Sequence, residues 1–435
     1  MSESPLRWVY DEASRCNRCG YCQPTCPTFS LTHVERNVAR GRNNLVRAVY
    51  EGRMPLNRDV KSAIFGCLMC AACVSNCHPE VRTDHIVAAA RAAYYEHFGR
   101  PAIQQVIFER LLPNPGALGR LLSLARLGKN SGLSGLARVL RILGWYGKSI
   151  ATAEALVPRI PRRFLREVVR VESPSSSQQK PRVAYFVGCA INFALPHVGS
   201  ATLRVLQDAK CTVTLLDNLC CGLPPYAYGD IESAQKLARH NLDVMAKVDA
   251  DVVISECASC VSFLKEYPHL LSGDAPYEEL AHTIAARVQD ATQFLRTLPM
   301  KPTPEAERIS VTYHDPCHLS HHLRERNAPR QLLRSLPGVD FVELPESDWC
   351  CGGAGSYNIT HPDVSEAILA RKMANVARTG AQVLTTACPS CLMQLSYGVR
   401  RHKLNVRVMH VVELVAAKTM GQSNGPEVPA CVSTQ

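Results

Sequence analysis

The second half of the chain alternates short unbroken apolar runs with longer stretches of helical spacing. "RVAYFVGC" (182–189) and "RISVTYHDPC" (308–317) are too short for buried helices and read as strands covered on both faces, each ending in a cysteine. A helical stretch follows each ("SATLRVLQDAK", "APRQLLRSLPG"), then a second strand ("TVTLLD", "DFVELPE"). Next come a long helix ("DIESAQKLARHNLDVMAKV", "HPDVSEAILARKMANVARTG") and a third strand ("DVVISEC", "AQVLTTAC"). Strands alternating with helices predict a parallel sheet with helices on both faces, whose ligands sit at the carboxyl ends of the strands.

The first hundred residues have a different pattern. "VARGRNNLVRAVYEG" (38–52) places Leu45, Val46 and Val49 at helical spacing, and "RTDHIVAAARAAYYEHFG" (82–99) reads as a closing helix. In 101–170, "ALGRLLSLARLG" and "LARVLRILGWYG" each set an apolar stripe against arginines, as amphipathic helices packed on neighbouring domains or as a docking face. "EALVPRIPRRF" reads as a proline-broken connector, and "ESPSSSQQKP" (172–181) as a polar linker.

At 435 residues the chain is long enough for roughly three domains. Its 46% hydrophobic and 20% charged residues are those of a globular protein. No apolar run of membrane-spanning length and no leader pattern are present, so a cytoplasmic setting is expected, where twenty cysteines point to metal or redox chemistry instead of disulfides. The net charge of +11 is concentrated in 101–170, where twelve Lys and Arg face three Glu. Such a face suits nucleic acid, an anionic membrane or an acidic partner. Nucleic acid is disfavoured: neither interleaved aromatics nor zinc-finger spacing with paired histidines accompanies the charge.

The cysteines fall into two patterns. "CNRCGYCQPTCP" gives Cys16, Cys19, Cys22 and Cys26, and "CLMCAACVSNCHP" gives Cys67, Cys70, Cys73 and Cys77. In this C-x2-C-x2-C-x3-C spacing three thiolates bind one cubane and the fourth reaches the other cluster. The expected [4Fe-4S] sets are therefore Cys16, Cys19, Cys22 and Cys77, and Cys67, Cys70, Cys73 and Cys26. Two zinc sites are the alternative, though zinc favours separated C-x2-C knuckles. Where proline usually follows the run, His78 intervenes before Pro79 and reads as a surface residue.

The second pattern is a repeat. Cys189, Cys220, Cys221, Cys257 and Cys260 recur as Cys317, Cys350, Cys351, Cys388 and Cys391, at offsets of 128 to 131 residues. All lie at predicted strand ends, so each set of five can converge. Five thiols exceed a zinc tetrahedron and favour a polynuclear iron centre. Gly222, Gly352 and Gly353 follow the paired cysteines, and glycine allows positive φ and close backbone approach to such a centre.

The spacings C-x30-CC-x35-CxxC and C-x32-CC-x36-CxxC resemble the cysteine-rich CCG domains of the heterodisulfide reductase superfamily. Together with the N-terminal motifs, "GCAINFALPHVGSATLRVL" and "CCGGAGSYNITHPDVSEAILARKM", nearly all of residues 10 to 415 resembles the glycolate oxidase iron–sulfur subunit family. The resemblance implies a multidomain fold: an α-helical dicluster ferredoxin-type domain (1–100), a basic helical segment and linker (101–178), two duplicated α/β CCG domains with parallel sheets (179–300, 301–421), and a polar tail (422–435). It also implies one or two further non-cubane [4Fe-4S] clusters, or zinc, in the CCG domains.

The expected function is electron transfer. No G-x-G-x-x-G strand–helix turn, Walker loop or flavin site is visible, and clusters alone cannot take a hydride. By resemblance, the chain would pass electrons from an FAD-dependent subunit oxidising glycolate or D-lactate to quinone or another carrier, peripherally at the inner membrane face. A heterodisulfide-reductase-like subunit that reduces a disulfide or quinone directly, and a zinc-rich structural protein, are the alternatives. No catalytic residue is assigned. His314, His318, His321 and His322, around Cys317, read as a solvent-facing loop or as hydrogen-bonding support, with a ligand or relay role for one as the sharper reading. Cys211 reads as core and Cys431 as a free tail thiol.

Overall fold

The computed structural model describes residues 6–131, 148–169, 181–299 and 307–419. The amphipathic stretch 136–147, the linker residues 172–180 and the tail with Cys431 lie outside them.

Strands β1 (Arg182–Tyr185), β2 (Thr212–Leu215), β3 (Val252–Ser255) and β4 (Val288–Asp290) form a sheet in the order β2-β1-β3-β4. Strands β5 (Ile309–His314), β6 (Val339–Phe341), β7 (Val383–Thr386) and β8 (Arg407–His410) repeat it as β6-β5-β7-β8. Every pairing is parallel. In the first unit the helices Pro196–Asp208 and Ala291–Leu295 pack into one core, and Ile231–Ala246 and Ala275–Arg287 into another across the sheet, as right-handed crossovers between parallel strands arrange them. The strand order reverses between β1 and β3, and between β5 and β7, which opens a crevice at their carboxyl ends.

Strands β4 and β8 are not visible in the apolar pattern. "VQD" and "RVMH" hold one and two apolar residues, with neither an apolar run nor a strict alternation, and they become strands by pairing with β3 and β7.

The N-terminal lobe packs the helices Arg7–Ser14, Ala39–Tyr50, Arg58–Phe65 and Thr83–Phe98 around Val9, Val46, Ile64 and Ile86. In Ala39–Tyr50, Val46 is buried as expected, whereas Leu45 and Val49 are half-buried because the inward face also carries Arg42 and Asn43. The helix Thr83–Phe98 is covered on nearly all sides. Ile86 and Ala89 face their own lobe, while Val87 and Ala88 join the core of the first sheet unit.

The two sheet units share one core, in which Tyr185, Val187 and Leu206 meet Val311, Tyr313 and Val411. Polar contacts tie the N-terminal lobe to both. Arg82 donates to Glu266 at 2.9 Å, Ser75 Oγ meets His321 Nδ1 at 2.9 Å, and Tyr357 donates to the Gly66 carbonyl at 3.1 Å. Among the described residues, no helix is long and apolar enough to cross a membrane.

Gly229 marks a close approach between lobes. Its φ is +76°, and a Cβ there would stand 2.3 Å from the Ala92 nitrogen on the covered helix. Gly273 has a similar φ of +80° with open space around it. Gly229→Ala is expected to cost roughly 2–4 kcal/mol, from backbone strain plus the clash. Gly273→Ala should cost only the strain, about 1–2 kcal/mol. Unfolding midpoints of the two variants measure the difference, and equal losses would show that the lobes yield at Ala92.

Candidate metal centre

The two N-terminal cysteine runs share one backbone shape. Arg18 and Gly20 have φ of 54° and 93°, and the equivalent Met69 and Ala71 have 53° and 56°. Left-handed residues at matching places curl each run around its thiols, and the Met69 N–H points to the Cys67 sulfur at 3.4 Å. Strain in non-glycine residues at two equivalent places fits a loop built to enclose something.

The fourth cysteines feel the charges of the opposite run, and Cys26 acts on Cys22 of its own run as well. Cys77 feels the charge of Cys16 and Cys19. Burial pushes the Cys73 thiol up, and Cys70, Cys67 and Cys26 push it further. Cys26 is itself buried at the start of the helix Pro27–Thr32.

In the sheet units the ten remaining motif cysteines form one continuous line. Neighbouring thiols, each shifting the acidity of the next, run Cys189–Cys220–Cys221–Cys260–Cys257 in the first unit and Cys388–Cys391–Cys351–Cys350–Cys317 in the second. The units join at Cys257 and Cys388, equivalent positions that bond to each other, and beside them the Ala258 N–H donates to the Ala387 carbonyl at 3.2 Å. The far end, Cys317, lies within electrostatic reach of Cys70, whose thiol is raised first by burial and next by Cys317. Sequence spacing groups the cysteines within each repeat. It carries no sign that the two groups touch.

Proton sharing along this line leaves ready thiolates. Hydrogen bonds from Cys220 and then Cys260 bring Cys221 down to about 5. Bonds from Cys350 and Cys391 hold Cys351 well below the ordinary thiol range, and those from Cys257 and Cys391 do the same for Cys388. Thiolates at neutral pH are the form that binds metal.

The glycines act in two ways. Gly222 and Gly352 have φ of +97° and +84°, yet the space they spare belongs to the following helix: a Cβ on Gly352 would stand 2.7 Å from the Ser365 carbonyl oxygen. Gly353 lies nearer the thiols, its Cβ position 3.5 Å from the Cys351 sulfur. Gly188, not singled out by the motif, is as close, with Cys260 Sγ 3.3 Å from where a Cβ would be. The backbone therefore leaves room around the thiols in both units.

The histidines do not form a solvent-facing loop. His314 and His321 are buried, and His318 and His322 stack at 4.7 Å. Ser259 Oγ lies 3.0 Å from His318 Nδ1 and 3.4 Å from Cys388 Sγ, so this hydroxyl links the two units. His78 is exposed, and Cys211 is half-buried, its thiol pushed up by burial to about 11.

Two buried arginines test what the thiols could hold. Arg42 and Arg91 are 2% and 5% exposed, and neither meets a carboxylate among the described residues. Arg42 donates to the Ala63 carbonyl at 2.8 Å and Thr28 Oγ1 at 3.1 Å, with its remaining nitrogen 4.0 Å from Cys26 Sγ. Burial acts to lower its pKa, and the charges of Cys67, Cys26 and Cys73 outweigh it. Arg91 donates to the carbonyls of Ile64 and Cys67, both at 2.7 Å. A buried cation without a counter-ion costs several kcal/mol, and neutral thiols do not offset that. A thiolate-ligated, net anionic metal centre does.

Comparison with known proteins gives the same picture. The 4Fe-4S dicluster domain matches residues 12–81, and the linker region of the glycolate oxidase iron–sulfur subunit matches 99–157. The cysteine-rich domain matches twice, at 183–265 and 311–396. The "Lactate utilization protein A" of Oceanobacillus iheyensis is 33% identical over 236 residues, 54% of this chain and 96% of that protein. A component of the dihydromethanophenazine:CoB–CoM heterodisulfide reductase of Methanosarcina barkeri is 27% identical, over 93% of each chain. The "Probable glycolate oxidase iron-sulfur subunit" of Bacillus subtilis is 33% identical over 434 residues, 95% of this chain and 96% of the relative. With the dicluster motif, the linker and both cysteine-rich repeats in one order along the chain, this protein belongs to the glycolate oxidase iron–sulfur subunit family.

Proposed function

We propose that this chain is the electron-transfer subunit of a 2-hydroxy-acid oxidising complex, in which it takes electrons from a partner flavoprotein acting on glycolate or D-lactate. The observation that carries this reading is the unbroken line of thiols from Cys189 to Cys317, ending within electrostatic reach of Cys70. Cys16, Cys19, Cys22 and Cys77 would hold one [4Fe-4S] cluster, and Cys67, Cys70, Cys73 and Cys26 a second. The five cysteines of each repeat would hold one further centre apiece. When bound, such centres supply one-electron transfer, which splits a two-electron oxidation into single steps.

The residues around them exclude water and balance charge. Arg42 and Arg91 offset the anionic centre beside Cys26 and Cys67, and Ser259 and His318 hold the seam between the repeats. The order along the chain of sites would be first repeat, second repeat, then the cluster of Cys70, whose thiol feels the charge of Cys317.

Electrons would leave beside Cys67. A cavity of about 420 Å³ opens there between the N-terminal lobe and both sheet units. Its walls include Tyr94, Tyr228, Tyr357 and His361, and Arg58 and Lys61 are exposed along it. Aromatic walls with a cationic edge suit a quinone ring. A second reading, direct reduction of a disulfide, draws on the contact of Cys257 with Cys388, which presents two centres to one substrate, and on the heterodisulfide reductase relative.

The chain purified without oxygen is expected to carry iron and acid-labile sulfide in equal amounts, beyond the content of two cubanes. Stoichiometric zinc without sulfide would sink the relay reading. In the intact complex the hydroxy acid should bleach the iron–sulfur absorbance, whereas a disulfide added to the reduced chain alone should leave its paramagnetic signals unchanged. Arg42→Met removes a buried charge at similar length and should lower the midpoint potential of one cubane by roughly 60–120 mV, a tenfold to hundredfold change in its one-electron equilibrium. A redox titration followed by paramagnetic resonance reads this shift, and an unchanged potential would detach Arg42 from the cluster.

A further inference from the structure

The two repeats agree closely at the ends of β1 and β5, with one exception. Tyr185 corresponds to Tyr313 and Cys189 to Cys317, both at an offset of 128. Between them Phe186 corresponds to His314. Both side chains are buried, Phe186 at 0% exposure and His314 at 1%. A duplicated scaffold thus carries an apolar ring in one copy and an imidazole, a ring able to ligate metal, in the other.

His314 closes β5 and pairs in register with Thr386 of β7, two residues before Cys388. This position brings its ring to the thiols: the ligand atoms of His314, Cys351 and Cys391 all lie within 4.8 Å of one another. Neither ring nitrogen makes a hydrogen bond of ordinary geometry, and the polar group that the ring faces is the Cys351 thiol. A buried imidazole with both nitrogens unmet is costly, and native proteins seldom keep such a group unless a bound atom satisfies it. The other histidines nearby are satisfied: His318 meets Ser259, His321 meets Ser75, and His322 Nε2 lies 3.3 Å from the Met69 carbonyl oxygen.

We infer that His314 is a nitrogen ligand of the metal centre in the second repeat, giving that site a mixed sulfur and nitrogen donor set while the first repeat is all-sulfur. The inference rests on the iron–sulfur reading of these sites. With the imidazole taking the place of one of the five thiolates, the metal carries less negative charge, and histidine in place of cysteine raises the potential of an iron–sulfur centre. The second site therefore accepts electrons more readily than the first, which directs flow toward Cys317 and Cys70. No proton transfer at His314 is required.

The test uses the full chain, purified without oxygen after growth with 15N-histidine or 14N-histidine. Pulsed paramagnetic resonance on the second-repeat signal should show a strong coupling to directly bound nitrogen that changes with the isotope. His314→Phe copies the first repeat and should abolish the coupling while shifting the one-electron equilibrium of that site at least tenfold toward the oxidised form. If this variant loses iron, His314→Cys, which restores a sulfur donor, should retain iron without nitrogen coupling.

Absence of histidine coupling in the unmodified chain would overturn the assignment and leave the relay reading standing. Zinc without sulfide would overturn the relay reading. X-ray absorption would then still decide the ligand, since nitrogen at about 2.0 Å separates from sulfur at about 2.3 Å, and an all-sulfur shell overturns it.

Discussion

The structure depends on the meeting of two strand ends. β3 and β7 each lead into a cysteine, and the two units are packed so that Cys257 and Cys388 touch, with a backbone hydrogen bond from Ala258 to Ala387 beside them. Parallel sheets gather functional groups at their carboxyl edge, so facing two such edges together merges two sites into one polar layer. The shared apolar core behind that layer, from Tyr185 and Leu206 to Val311 and Val411, fixes the distance between them. A shift of either sheet would part the thiols and open the core at once.

Charge is the second constraint. Thiolates gathered in a protein interior repel one another, and the molecule answers with Arg42 and Arg91, held by carbonyls and a hydroxyl instead of carboxylates. Their placement makes sense only beside a group of opposite sign. The same arginines are structural, since Arg91 also donates to the Ala227 carbonyl in the first sheet unit. The lobe that carries the N-terminal cysteines is thus anchored where its charge is needed.

The duplication is close but not uniform. Equivalent cysteines, tyrosines and glycines keep the two sites alike, while Phe186 and His314 make them chemically different. Two alike sites in series have no preferred direction, and a single changed ligand is enough to give one. Gly229 shows a different economy: one missing side chain lets the first unit touch the covered helix Thr83–Phe98.

Much of this was legible along the chain because cysteine spacing, strand runs and the repeat are local or periodic properties. The eighteen motif cysteines, the strands β1 to β3 and β5 to β7, and the strand-end placement of the sites follow from patterns within short windows. The edge strands β4 and β8, the inward turn of Arg42, and the burial of His314 and His321 do not, because each depends on a partner far off in sequence. Comparing the repeats position by position would have singled out His314, but not its unmet nitrogens. The sequence by itself determined which residues could bind metal and on what scaffold. Tertiary packing alone decided that Cys257 meets Cys388 and that Cys317 comes within electrostatic reach of Cys70, since the approach of separate folding units is set by shape and burial, which no local pattern encodes.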